Sequence, residues 1–242
     1  MRLTPAVAAL LSGGPFAHRG LWSPDGPPEN SLAAFDAACA ARYGMELDVR
    51  LSADGEAVVF HDPALERLTG DAERVRDRPA GYLAARRLRG TDQTIPTLAQ
   101  ALALIAGRTP VLVELKTDVG DHGPLERRVA QLLSAYDGPR AVLSFNPDAL
   151  VAVRAAAPEL LIGLNAAPHV NESAEVVEPD ASRVLRHVDR VRPDFLSLGK
   201  ETLQVARPTT DLPVVAWTLR SREQLAAVRP NCDAFMFEGF RP

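Results

Sequence analysis

The chain has 242 residues, 46% of them hydrophobic and 24% charged, enough to bury a core with no disulfide or metal to support it. Its formal net charge of −4 provides no broad cationic field for a nucleic acid, so any phosphate recognition must be local. The two cysteines, Cys39 and Cys232, lie far apart in apolar surroundings, which fits reduced core thiols better than a disulfide framework, and their number excludes a zinc cluster.

Short apolar runs alternate with amphipathic stretches along the chain. Residues 15–18 read as a strand, and residues 31–42 as a helix with Asn30 at its N-cap and Gly44 as its stop. Residues 45–51 and 56–60 form two strands around Ser52-Ala53-Asp54-Gly55, which has the chemistry of a hairpin turn. An insertion rich in Arg and Asp follows over residues 63–94, and a helix over 98–105 begins at Pro96-Thr97. Strand and helix then alternate: strands at 111–116, 141–145, 160–164, 194–198, 213–218 and 233–237, and helices at 125–136, 147–157, 182–191, 201–206 and 222–228. Strands starting near 15, 45, 111, 141, 160, 194, 213 and 233 give eight βα units, the pattern of a closed (β/α)₈ TIM barrel in one domain over residues 1–242. It carries a small insertion after the second strand and lacks the last helix. The exposed end would be covered by residues 3–11 or by a second subunit in a homodimer.

Every apolar run falls short of the roughly 18 residues a bilayer span requires, so no stable membrane insertion is expected. Residues 1–14 carry one basic residue and a short apolar run, a weak likeness to a signal peptide, but a dense polar motif begins at His18. A cytoplasmic location is expected.

A barrel concentrates its chemistry at the C-terminal ends of its strands. There the first strand ends Phe16-Ala17-His18-Arg19-Gly20, the second carries Glu46-Leu47-Asp48, the third ends Glu114-Leu115-Lys116, and His61-Asp62 closes the hairpin. Strand alternation puts Glu46 with Asp48 and Glu114 with Lys116 on one face, and Leu47 and Leu115 on the other. Burying those charges under the helices would cost several kcal/mol apiece, so they face the lumen. Three converging carboxylates repel one another unless a cation lies between them, and an all-oxygen set suits Mg²⁺, Ca²⁺ or Mn²⁺. Each motif alone fits a loop, an edge or a surface ion pair; their coincidence at one end of three strands makes the case.

His18-Arg19-Gly20, Pro28-Glu29-Asn30-Ser31, Glu46-Leu47-Asp48-Val49, Asp54-Gly55, His61-Asp62 and Glu114-Leu115-Lys116 together resemble the glycerophosphodiester phosphodiesterase family. Weaker family-like pieces are Ile95-Pro96-Thr97-Leu98, Ser144-Phe145 and Val215-Ala216-Trp217-Thr218. The resemblance implies a TIM-barrel hydrolase that splits a small-molecule glycerophosphodiester into sn-glycerol 3-phosphate and an alcohol with a divalent cation. By position it implies Glu46, Asp48 and Glu114 as metal ligands, His18 and His61 as the acid and base pair, and Arg19 and Lys116 on phosphate oxygens. Whether a glycerol hydroxyl attacks, giving a cyclic phosphate, or water attacks directly stays open, as does which histidine is the acid.

Trp217 is a candidate substrate wall or a core aromatic, Phe145 reads as packing, and His122, His169 and His187 read as surface residues. Leu68 and Glu238 stand where the family more often has Thr and Asp; both are expected near the alcohol group and away from the seven-residue core. Rival readings are a lysophospholipase D-like or phosphoinositide-cleaving enzyme and a non-catalytic barrel that binds a phosphorylated ligand.

Overall fold

The computed structural model describes residues 3–12, 14–117, 123–167 and 185–242. Eight parallel strands close into a barrel: β1 (Phe16–Ala17), β2 (Gly44–Leu51), β4 (Val111–Leu115), β5 (Arg140–Ser144), β6 (Leu161–Ala166), β7 (Phe195–Gly199), β8 (Val214–Leu219) and β9 (Ala234–Phe237). β9 returns to β1, with Phe16 opposite Met236, and β1 meets β2, with Phe16 opposite Gly44. The short β3 (Ala57–Val59) runs antiparallel to the end of β2, so the hairpin expected around residues 52–55 forms, with Val49 opposite Val59.

Alternation sorts the side chains of every strand. Leu47, Val113, Val142, Ile162, Leu196 and Ala216 join the core beneath the helices, while Phe16, Leu112, Ala141, Phe195, Val215 and Met236 join the cluster that fills the lumen. Space inside is tight at Gly163 on β6, where a Cβ would lie 2.4 Å from Leu143 Cδ2 and 2.5 Å from a Phe195 ring carbon.

The helix α1 (Pro5–Ser12) joins the lumen cluster through Val7, Leu10 and Leu11, so the chain's own first helix covers the strand starts. Each such buried aliphatic side chain contributes about 1.5–3 kcal/mol. After β9 the described residues form no helix, as expected; Tyr43 and Phe240 instead pack edge-on against Phe237, at 5.0 and 5.8 Å between ring centroids. Both cysteines are buried free thiols.

The helix α2 (Leu32–Ala40) departs from expectation at both ends. Ser31, not Asn30, caps it, accepting from the Ala34 amide, because Asn30 takes a left-handed φ of 56° and turns its amide toward β2. Its C-cap is Ala41, and Gly44 already belongs to β2. The insertion contains α3 (Glu66–Thr69) and α4 (Ala80–Leu83), and Phe60, Leu65, Leu68, Val75, Leu83 and Leu88 give it a small core of its own. Leu68 is buried in that core.

Then come α5 (Leu98–Ile105), whose cap Thr97 forms a reciprocal capping box with Gln100, α6 (Pro124–Ser134) and α7 (Pro147–Ala156), capped by Asn146. Of the helix expected over 182–191, α8 (Val188–Val191) is described, and residues 182–184 lie outside the described residues, as do His122 and His169. The last helices are α9 (Lys200–Ala206) and α10 (Arg222–Val228).

Candidate active site

The side chains singled out from the sequence converge at the C-terminal mouth of the barrel. Glu46 and Asp48 leave β2 on the lumen face and Glu114 leaves the adjacent β4, where Asp48 pairs in register with Glu114. One carboxylate oxygen from each lies within 4.8 Å of the other two, and all three residues are buried.

Two cations counter this negative charge. Lys116 Nζ lies 3.1 Å from Asp48 Oδ1 and 2.5 Å from Glu114 Oε1, and Arg19 Nε lies 3.4 Å from Asp48 Oδ2. Asn30 anchors Asp48 by donating from Nδ2 to Oδ2 at 2.8 Å and accepting the Asp48 amide at 3.2 Å. Burial alone would raise the Asp48 carboxyl, but Lys116, His61 and Arg19 hold it well below the usual carboxylate range.

Glu46 is in the opposite state. Burial, and then the charges of Asp48 and Glu114, push it well above the usual range. Its Oε2 accepts the Arg19 amide at 3.0 Å, while its buried Oε1 has no hydrogen-bond partner among the described residues. Burial also raises Glu114. An orphaned buried oxygen within a group of mutually repelling carboxylates is the condition that a divalent ion with oxygen preference relieves, so the donor set fits one.

The Arg19 amide reaches Glu46 because β1 is only two residues long and the chain then turns sharply. Arg19 has φ 59° and Gly20 φ 79°, and a Cβ on Gly20 would lie 2.9 Å from Ala34 Cβ and from Phe35 Cδ1, so glycine lets this turn pack on α2.

Both histidines use Nδ1 to contact a carboxylate. His18 Nδ1 is 2.6 Å from Glu238 Oε2, and His61 Nδ1 is 2.6 Å from Asp62 Oδ1. Opposing burial, the His18 hydrogen bond and the His18 and Arg220 charges hold Glu238 down at about 2, so it is ionised and can only accept. Nδ1 of His18 must then carry a proton, and Nε2 is the ring nitrogen turned to the site, 4.0 Å from Glu46 Oε2. His61 is held below its ordinary value chiefly by burial, so its imidazole is neutral at pH 7.

The residues missed from the sequence are the supports. Glu238 was expected apart from the core set, yet it contacts His18 and is itself held by Arg220 Nε at 2.6 Å. Arg67, from the insertion, donates to Asp62 Oδ2 at 2.5 Å and to both oxygens of Glu29 at 2.7 and 2.9 Å; Glu29 in turn accepts from Arg19 at 2.8 Å. His61 and Arg19 are thereby tied to one ion-pair network. Glu29 and Asp62 stand in motifs visible in the sequence, but no spacing signal links either of them to Arg67.

A cavity of about 290 Å³ opens between these groups and the opposite wall, lined by His18, His61, Lys116, Trp217, Asn165 and Ser197 among others. Trp217 faces this cavity from β8, in edge-to-face contact with Phe145 at 5.6 Å. Phe145, which follows the last residue of β5, packs on Trp217 as an aromatic at the mouth, 47% exposed, and not within the core.

A closed (β/α)₈ barrel whose mouth gathers buried carboxylates, cations and two carboxylate-bound imidazoles defines a TIM-barrel protein with an active-site mouth suited to an anionic ligand. Residues 18–236 match the model of the glycerophosphoryl diester phosphodiesterase family, and the chain belongs to that family. A glycerophosphodiester phosphodiesterase of Caldanaerobacter subterraneus subsp. tengcongensis is 32% identical over 160 residues, 61% of this chain and 64% of that protein. The chain thus aligns with just under two thirds of the length of the first curated relatives it matches.

A phosphodiesterase of Oleispira antarctica, solved in complex with the product sn-glycerol-3-phosphate, superposes with a TM-score of 0.76 at 26% identity, covering 92% of this chain and 91% of that one. A glycerophosphodiester phosphodiesterase of Thermotoga maritima shares the fold, with a TM-score of 0.71 at 24% identity over 92% of both chains. No helix among the described residues is long and apolar enough to cross a membrane.

Proposed function

We propose that this chain hydrolyses small glycerophosphodiesters to glycerol 3-phosphate and an alcohol, with a divalent cation held by Glu46, Asp48 and Glu114. The supporting observation is the buried carboxylate trio flanked by two histidines whose Nδ1 atoms are each fixed by a carboxylate. When bound, the cation supplies Lewis-acid stabilisation of the charge that builds on the phosphoryl oxygens.

The chain's own groups do the rest. Lys116 and Arg19 stand beside the trio, positioned to meet equatorial phosphate oxygens, whose negative charge grows as the nucleophile attacks. Displacement at phosphorus needs one proton removed and another delivered. Neutral His61 is the group that takes a proton at Nε2, and His18, protonated on both ring nitrogens with Nδ1–H held by Glu238, is the group that delivers the Nε2 proton to the departing oxygen. Asp62 keeps the His61 proton on Nδ1 so that Nε2 is free to accept, and the Glu238 carboxylate stabilises the doubly protonated ring of His18.

The test is release of glycerol 3-phosphate from glycerophosphocholine or glycerophosphoethanolamine in Mg²⁺ or Ca²⁺, repeated in chelator. Release that stops with chelator and returns with added cation supports the proposal; absence of release with any diester and cation refutes it.

A further inference from the structure

The lumen wall opposite the carboxylates has a different chemistry. Around the barrel β7 faces β2 and β8 faces β4, so Ser197 and Trp217 look across the cavity toward the charged groups, with Asn165 beside them on β6. Asn165 and Ser197 are register partners on adjacent strands. Asn165 is 5% exposed and Ser197 0%, yet Asn165 Oδ1 and Ser197 Oγ have no hydrogen-bond partner among the described residues. Trp217 Nε1 is likewise buried and unpartnered. Among the charged groups lining the cavity, His18 and Arg220 form ion pairs with Glu238, and Lys116 with Glu114.

Three neighbouring strands thus each place at the lining of the same cavity a residue with one unsatisfied neutral polar group, and leaving such groups unpaired is costly unless a ligand completes them. The three form a complementary set: Asn165 Oδ1 accepts, Trp217 Nε1–H donates, and the Ser197 hydroxyl does both. Carbon-bound hydroxyls, which donate and accept together, satisfy all of them. A quaternary ammonium satisfies none, and a primary ammonium cannot accept from Trp217.

We propose that Asn165, Ser197 and Trp217 form a neutral subsite that binds hydroxyl groups of the diester and so determines specificity. This rests on the hydrolase reading above. The hydroxyls come either from the glycerol that stays on the phosphate or from the alcohol that leaves. Removing one neutral hydrogen bond of this kind costs about tenfold in kcat/KM.

The experiment compares wild type with Ser197→Ala, Asn165→Leu and Trp217→Phe on glycerophosphoglycerol and glycerophosphocholine, with inhibition by inorganic phosphate as a hydroxyl-poor control. Each variant is expected to lose about tenfold in kcat/KM on glycerophosphoglycerol, with phosphate inhibition unchanged. A loss confined to that substrate assigns the subsite to the leaving alcohol; an equal loss on glycerophosphocholine assigns it to the retained glycerol. Unchanged kcat/KM on both substrates, or phosphate inhibition weakened in parallel, overturns the subsite. Ser197→Ala is expected to melt at or above wild type, because it deletes an unpaired buried hydroxyl; a markedly lower melting temperature would reveal a protein partner for Oγ and also overturn it. Wild type inactive on both diesters would refute the hydrolase reading itself, whereas an active wild type with indifferent variants refutes the subsite alone.

Discussion

Glu238→Gln isolates the support of one histidine from the rest of the site. The His18 Nδ1 to Glu238 Oε2 contact is 2.6 Å, with side chains 14% and 12% exposed, so solvent screens it little. A hydrogen bond to a charged group contributes about 1.5–3 kcal/mol, and at about 1.4 kcal/mol per tenfold its loss corresponds to roughly 10- to 150-fold in kcat. The neutral amide also lacks the negative charge that stabilises the doubly protonated ring from which the proton is delivered. Steady-state kinetics on glycerophosphocholine should show kcat reduced within that range and KM little changed, since Glu238 is absent from the carboxylate trio. Calorimetric titration with Ca²⁺ should give wild-type affinity. Wild-type kcat, or cation affinity lost in step with kcat, would refute the positioning role.

Without a divalent ion, Glu46 and Glu114 sit above their ordinary value of 4.5 because of burial first and then neighbouring carboxylates. A raised folded-state value gives stability that is complete below about pH 4.5 and is lost as pH rises through the folded-state value, so melting temperature in chelator should fall as pH rises from 4.5 toward 8, and added Mg²⁺ or Ca²⁺ should reverse the fall. Glu46→Gln should flatten that pH dependence and lose most of the cation-induced rise in thermal melts. The acid limb of kcat should lie below pH 6.5, since burial holds His61 beneath that value; a pH-rate profile with its acid limb at or above 6.5 would contradict the assignment of His61 as base. Gly163→Ala forces a methyl against Leu143 and Phe195 and should destabilise by about 1–3 kcal/mol in urea unfolding.

The parts legible in the sequence are those written in local periodicity. Glu46-Leu47-Asp48 and Glu114-Leu115-Lys116 fix their own facing by alternation, and the structure puts Leu47 and Leu115 under the helices and their neighbours in the lumen. The eight strands follow from runs such as Val111–Leu115, whose apolar content leaves few other outcomes. What stayed hidden depends on contacts between distant segments. His18 and Glu238 are separated by most of the chain and meet only because β1 and β9 close the ring. Arg67 lies in an insertion whose apolar residues follow neither helical nor strand spacing, so its link to Asp62 and Glu29 had no periodic signature. Asn30 and Ser31 are both good caps; the choice fell to Ser31 only because Asp48 claims the asparagine amide. The orphaned Asn165 and Ser197 are ordinary strand residues until closure turns them into a cavity.

The most direct measurement is anomalous diffraction from crystals grown with Mn²⁺ and glycerol 3-phosphate. A peak among Glu46, Asp48 and Glu114, with the phosphate against Lys116 and Arg19, is the predicted result. Manganese bound elsewhere, or a phosphate remote from both cations and both imidazoles, would contradict it.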